Sequence, residues 1–205
     1  VDLQRRGMLA ELLTQNTLAT ACERSSQWWT TLSILVSIKE VGLDQDAFSC
    51  SAGVKACGNS AQWRKAVNVL ESSYSCKIET NAVCHTAAIS ACERAEKWQL
   101  AVSLLNDLLS NLQGNLITYN ACISACEKAG EWAIALGLFQ EVFQHLQADV
   151  ITYSATMSAC EKASQWERAV ALLQQLRHHA VRENVITCNA VISACEKAGH
   201  WQMAW

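Results

Sequence analysis

Eleven cysteines and five histidines are the residues of this 205-residue chain with the greatest chemical reach. Thiolates attack, oxidise and hold metals, and imidazoles move protons near neutral pH. The spacing points away from both uses. Cys122 and Cys126 stand one helical turn apart, but no Cys-x-x-Cys pair or companion histidine recurs at ligand spacing, so no zinc or other metal is expected. His178, His179 and His200 fall in or near stretches that read as loops between helices. No His-Glu-x-x-His and no Gly-x-x-x-x-Gly-Lys segment is present, which leaves catalysis without a constellation and the chain without an expected cofactor. It reads as a binder, not an enzyme.

Six of the cysteines belong to a phrase. Cys22, Cys57, Cys92, Cys126, Cys160 and Cys195 recur at intervals of 34 or 35 residues, and Trp28, Trp63, Trp98, Trp132, Trp166 and Trp201 follow each by six. Three places later stand Ala66, Ala101, Ala135, Ala169 and Ala204. A period of this length belongs to solenoids. Within one unit, Tyr119, Cys122, Ile123 and Cys126 lie on one helical face, and after Gly130 the residues Trp132, Ala135, Leu136 and Phe139 resume the pattern as a second helix. Alanine permits a close crossing there, and the periodic tryptophans are expected to fill the core beside it. On stacked helices about 8–10 Å apart, corresponding cysteines exceed the roughly 7 Å between Cα atoms that a disulfide spans. They read as small hydrophobes in a reducing compartment.

The expected fold is all-α, a solenoid of 34–35-residue helical hairpins. Units run 12–46, 47–81, 82–115, 116–149 and 150–184, with 1–11 as the end of a preceding hairpin and 185–205 as a truncated one, as in a piece of a longer array. Proline is absent, and no apolar run reaches eighteen residues, so neither a proline-rich linker nor a membrane span is supported. A net charge of −3 gives no general positive field, so any surface for a polyanion must be local.

The phrases Leu-Ile-Thr-Tyr-Asn-Ala-Cys-Ile-Ser-Ala-Cys-Glu-Lys-Ala-Gly at 116–130 and Val-Ile-Thr-Cys-Asn-Ala-Val-Ile-Ser-Ala-Cys-Glu-Lys-Ala-Gly at 185–199 strongly resemble the pentatricopeptide-repeat family, and the resemblance covers nearly the whole chain. It implies a right-handed alpha-alpha superhelix that binds single-stranded RNA, one base per hairpin. The fifth and last residues of each unit would read the base: Asn16 with Asp46, Ser51 with Asn81, Thr86 with Asn115, Asn120 with Asp149, Ser154 with Asn184, and Asn189 without its partner. Amides and hydroxyls donate and accept while Asp only accepts, the inventory needed for the edges of unstacked bases. By the family code, Asn with Asp favours uracil and Ser or Thr with Asn favours adenine, giving 5′-U-A-A-U-A-pyrimidine. The second position would clamp the base, here Leu13, Phe48, Val83, Ile117, Ile151 and Ile186. The thirteenth would face phosphate, here Arg24, Arg94, Lys128, Lys162 and Lys197, with Asn59 departing from the pattern. Glu23, Glu93, Glu127, Glu161 and Glu196, one helical step away, are expected to face elsewhere.

The resemblance further implies an organellar role, in mitochondrion or chloroplast, in RNA processing, editing, stability or translation, with protein partners supplying any catalysis. Simpler roles remain open for the same residues. The small polar residues could be helix N-caps, the cations solvated charges or partners of the helix dipole, and the clamp residues plain inter-repeat core. A protein- or peptide-binding scaffold of tetratricopeptide-like type is the alternative function.

Overall fold

A computed structural model describes residues 14, 17–22, 27–40, 47–60, 62–75, 81–112 and 114–200. The described elements are all helical: α1 (Trp28–Glu40), α2 (Ala47–Asn59), α3 (Trp63–Ser75), α4 (Ala82–Arg94), α5 (Trp98–Asn111), α6 (Leu116–Ala129), α7 (Trp132–His145), α8 (Val150–Lys162), α9 (Trp166–His178) and α10 (Val185–Lys197). No strand occurs among the described residues. They fall into two compact units, the first reaching Ala95 and taking in 106–112, the second comprising 96–105 and the described residues from Gly114 onward. Each is helix-hairpin solenoid.

The repeating phrase sets where helices start and stop. Asn81, Asn115, Asp149 and Asn184 take extended backbone immediately before α4, α6, α8 and α10, and each side chain accepts the backbone N–H three residues on. That bond satisfies one of the four donors a helix start leaves open. At the other end of α2, α6, α8 and α10 the carbonyl of the periodic cysteine accepts an N–H from five residues later, and after α2, α6 and α8 a tryptophan opens the second helix at the next residue. Gln62 donates to Cys57 at 2.9 Å, Glu131 to Cys126 at 2.9 Å, Gln165 to Cys160 at 2.9 Å and His200 to Cys195 at 2.8 Å. The six-residue spacing of cysteine and tryptophan is the length of this closure. Between them, Glu96, Gly130, Ser164 and Gly199 all have positive φ, a conformation closed to proline.

Packing follows the same register. In the first unit α2 packs on α3, and α4 on both; in the second, α6 packs on α7, and α8 on α6, α7, α9 and α10. First helices thus stack on one another, and the second helices α3, α7 and α9 each brace two of them. Ala66, Ala135 and Ala169 are fully buried where the hairpins cross. Gly53 marks a closer approach still, since a Cβ there would lie 2.4 Å from Leu35 Cδ1 of α1.

Cys57, Cys92, Cys126, Cys160 and Cys195 are fully buried free thiols. Burial pushes the thiols of Cys57, Cys92, Cys126 and Cys160 up to about 11. The tryptophans depart from expectation. Trp63, Trp98, Trp132 and Trp166 are half-buried, not core. A ring at the first position of a second helix keeps one face for a neighbour: the Arg168 guanidinium lies 4.8 Å from the centre of the Trp132 ring, and the His200 ring 4.6 Å from that of Trp166.

Candidate functional site

Positions two and five of a first helix are three residues apart, so they share a helix face. At position two, Phe48 and Val83 in the first unit, and Ile117, Ile151 and Ile186 in the second, are 45–67% exposed. They are not inter-repeat core. Single exposed apolar residues are ordinary, but large ones left in water at one register through the repeats of a unit make, within that unit, a ladder that a ligand can cover.

Position five is covered to a different extent from one repeat to another. Ser51 and Ser154 are buried, Thr86 and Asn120 half-buried, and Asn189 exposed. Two of the hydroxyls bond back into their own helix, Thr86 Oγ1 donating to the Ala82 carbonyl at 2.7 Å and Ser154 Oγ to that of Ile151 at 3.0 Å. Asn120 reaches further. Its Nδ2 donates to Asp149 Oδ1 at 3.3 Å, and its Oδ1 accepts the hydroxyl of Thr152 at 2.7 Å. The fifth and last residues of unit 116–149 are therefore in direct contact. Thr86 and Asn115 lie in different compact units, and Leu13, Asn16, Arg24 and Asp46 lie outside the described residues.

The last position carries the capping role as well. Cys84 donates its N–H to Asn81 Oδ1 at 3.0 Å, Thr118 to Asn115 at 2.9 Å, Thr152 to Asp149 at 2.8 Å and Thr187 to Asn184 at 2.8 Å. One Oδ1 is spent on the cap in each case, leaving the other side-chain atom for a further partner. Burial pushes the Asp149 carboxyl upward, but bonds from the Thr152 N–H and hydroxyl and from Asn120 outweigh it and hold the group below its ordinary value.

The cation stripe requires a correction. Glu127 and Glu161 at position twelve do not face away from the cations; they meet those of the following repeat. Lys162 Nζ lies 3.1 Å from Glu127 Oε1, and Lys197 Nζ 3.0 Å from Glu161 Oε1, which also accepts from Ser193 Oγ at 2.8 Å. Residues adjacent in one helix diverge by about 100°, yet long side chains on stacked helices converge across the gap. Arg94 makes the same reach without a glutamate, donating to the Gly58 carbonyl at 2.6 Å. Lys128 is exposed.

Among these side chains Thr152 is one that the spacing did not single out. Its signal was a hydroxyl at the third position of several units, Thr14, Ser49, Thr118, Thr152 and Thr187.

A family model described as "Pentatricopeptide repeat domain" matches residues 103–163 and 138–198. Residues 103–198 are thus pentatricopeptide repeats. Similar folds follow suit. The crystal structure of the maize pentatricopeptide repeat protein PPR10 aligns with TM-score 0.70 and 23% identity over 92% of this chain and 27% of that one. The chain thus spans about a quarter of the maize protein. Nuclear proteinaceous RNase P 2 of Arabidopsis thaliana aligns at TM-score 0.78 and 11% identity, over 87% of this chain and 41% of that one. The pentatricopeptide-repeat domain of A. thaliana protein-only RNase P 1, crystallised with tRNA, aligns at 0.75 and 12%, over 94% and 97%. No curated protein matches this sequence. At such identities the structural likeness is one of pentatricopeptide-repeat fold.

Proposed function

We infer that this chain binds single-stranded RNA, one base per repeat, with the order 5′-U-A-A-U-A-pyrimidine. The observation that carries the reading is the Asn120–Asp149 contact, standing in a unit whose position-two residue, Ile117, and that of the next, Ile151, are both exposed. A base between those side chains meets two complementary groups. Asn120 keeps a second Nδ2 hydrogen to give, and Asp149 keeps an oxygen to accept. Uracil offers a carbonyl oxygen beside its N3–H, the matching pair. The maize relative has been crystallised with an 18-nucleotide RNA element, and the A. thaliana domain with tRNA, which supports RNA as the ligand class.

Affinity for 5′-UAAUA-containing RNA against a scrambled RNA, at fixed salt, tests it. Asn120→Ser with Asp149→Asn is expected to move the preference at the fourth base from uracil to adenine. The fold should accept this change, because asparagine already caps α4, α6 and α10. No movement would refute the base assignment. Replacing Lys128 and Lys162 by alanine is expected to weaken all RNAs alike and to reduce the slope of log affinity against log salt by about 0.7 per lost phosphate contact.

The proposal extends to a mitochondrial or chloroplast RNA-processing role in which protein partners supply the chemistry. Imaging of the tagged full-length protein and an RNA-cleavage assay on this chain alone test those two parts. Localisation elsewhere, or cleavage by the chain itself, would overturn them.

A further inference from the structure

We propose that Thr152, the third residue of its repeat, is a positioning residue that fixes the amide of Asn120 in the preceding repeat and so sets the base choice of the Asn120–Asp149 pair. This rests on the base-reading role proposed above. Thr152 is fully buried and cannot itself reach a base. Its hydroxyl lies 2.7 Å from Asn120 Oδ1 and 2.8 Å from Asp149 Oδ1, so its single proton is held between the two reading residues.

Bond lengths show which contact governs the amide. An ionised carboxylate only accepts, so the Asn120 atom facing Asp149 is Nδ2, but at 3.3 Å that bond is at the weak end of the range. The 2.7 Å contact from Thr152 is the shorter one, its proton shared with Asp149 Oδ1 in a three-centre bond. With Oδ1 engaged, the remaining Nδ2 hydrogen is what Asn120 presents to a ligand. Without the hydroxyl, Oδ1 loses its donor in a half-buried place, and the amide is free to turn and present oxygen beside the Asp149 oxygen. Two adjacent acceptors no longer match the carbonyl and N3–H of uracil.

The neighbouring repeat shows that threonine at position three does not act this way by itself. Thr187 Oγ1 donates to the Asn184 carbonyl at 2.8 Å and accepts the Asn184 N–H at 3.1 Å. The position-five residue there, Ser154, bonds to Ile151 instead. A serine is too short to span to the next helix start, whereas the asparagine at 120 reaches it. The lock therefore belongs to a repeat with Asn at position five followed by Thr at position three of the next.

The test is the affinity of the 205-residue chain for 5′-UAAUA against 5′-UAACA RNA at one salt concentration. Thr152→Val is expected to lower the uracil-over-cytosine ratio at the fourth base about three- to tenfold, chiefly by weakening uracil, with the preference at the fifth base unchanged. Thr152→Ser should restore the ratio to within about twofold, since it returns the hydroxyl. An unchanged ratio in Thr152→Val overturns the proposal while leaving base reading intact. A parent chain with no preference at the fourth base overturns base reading and this proposal with it. One further measurement needs no variant: by NMR, the side-chain amide hydrogens of Asn120 should exchange with solvent several-fold more slowly than those of exposed Asn189, and equal rates would also overturn the lock.

Discussion

Asp149 uses one oxygen for three donors: the Thr152 N–H, the Thr152 hydroxyl and Asn120 Nδ2. Its folded pKa is depressed, so its contribution to stability is complete above the ordinary carboxyl value of about 4 and is lost as pH falls through the lower folded value. Acid unfolding monitored by circular dichroism should show that loss, and Asp149→Asn should remove this part of it while keeping the cap. Asp149→Ala removes the cap outright and is expected to destabilise by about 1 kcal/mol in urea unfolding. The thiols make a separate prediction. With Cys126 pushed up to about 11 by burial and then by the nearby Glu131 charge, only about one molecule in a thousand carries the thiolate at pH 8. Alkylation of Cys57, Cys92, Cys126 and Cys160 at that pH should become rapid only after unfolding. Fast labelling of the native chain would contradict their placement.

The first helices α4, α6, α8 and α10 end through a residue in the left-handed region, and the same turn is built at unequal strain. Gly130 at φ 78° adopts it freely, while Ser164 at φ 55° carries a Cβ into it. Nothing lies within 4 Å of a Cβ built at Gly130, so Gly130→Ala isolates the backbone effect and should cost about 1 kcal/mol. Ser164→Gly should gain a smaller amount, because glycine's added freedom in the unfolded chain offsets part of the relief. Paired urea titrations check both signs. Gly53→Ala is different in kind. Its added methyl meets Leu35 Cδ1, so α1 or the leucine rotamer must shift before α2 can pack. These helix ends could be read from spacing, because a cap, a left-handed residue and an opening tryptophan are local devices.

At the scale of each stacked unit, the basic stripe is partly neutralised from within. Glu161 holds Lys197, and burial of its carboxyl is outweighed by bonds from Lys197 and Ser193, leaving its pKa below the ordinary value. Both lysines in such pairs are more than 40% exposed, so the pairs contribute little to stability. Their effect on the proposed RNA binding is expected to be larger. Glu127→Gln or Glu161→Gln should tighten RNA of every sequence at low salt and leave base preference unchanged, as measured by fluorescence anisotropy. Tightening confined to one sequence would mean that these cations act on base reading instead of phosphate. Since each hairpin touches only its neighbours, such substitutions should leave distant repeats unperturbed.

From the sequence alone came the period, the helical hairpin, the buried cysteine, the alanine crossing and the polar residue before each first helix. All of these rest on contacts within a few residues or on burial repeated at a fixed interval. The pairs at positions five and last, the position-two ladder and the cations could be named by register, but not their surroundings. Asn120 meets Asp149 across 29 residues and Lys197 meets Glu161 across 36, distances over which spacing says nothing of side-chain reach. Only the stacking of one hairpin on the next decides that position two stays in water, that tryptophan is half-covered, and that buried Thr152 lies between Asn120 and Asp149. The reason is geometric. A repeat fixes which residue stands at each place, whereas the offset between neighbouring helices fixes which atoms come within bonding distance.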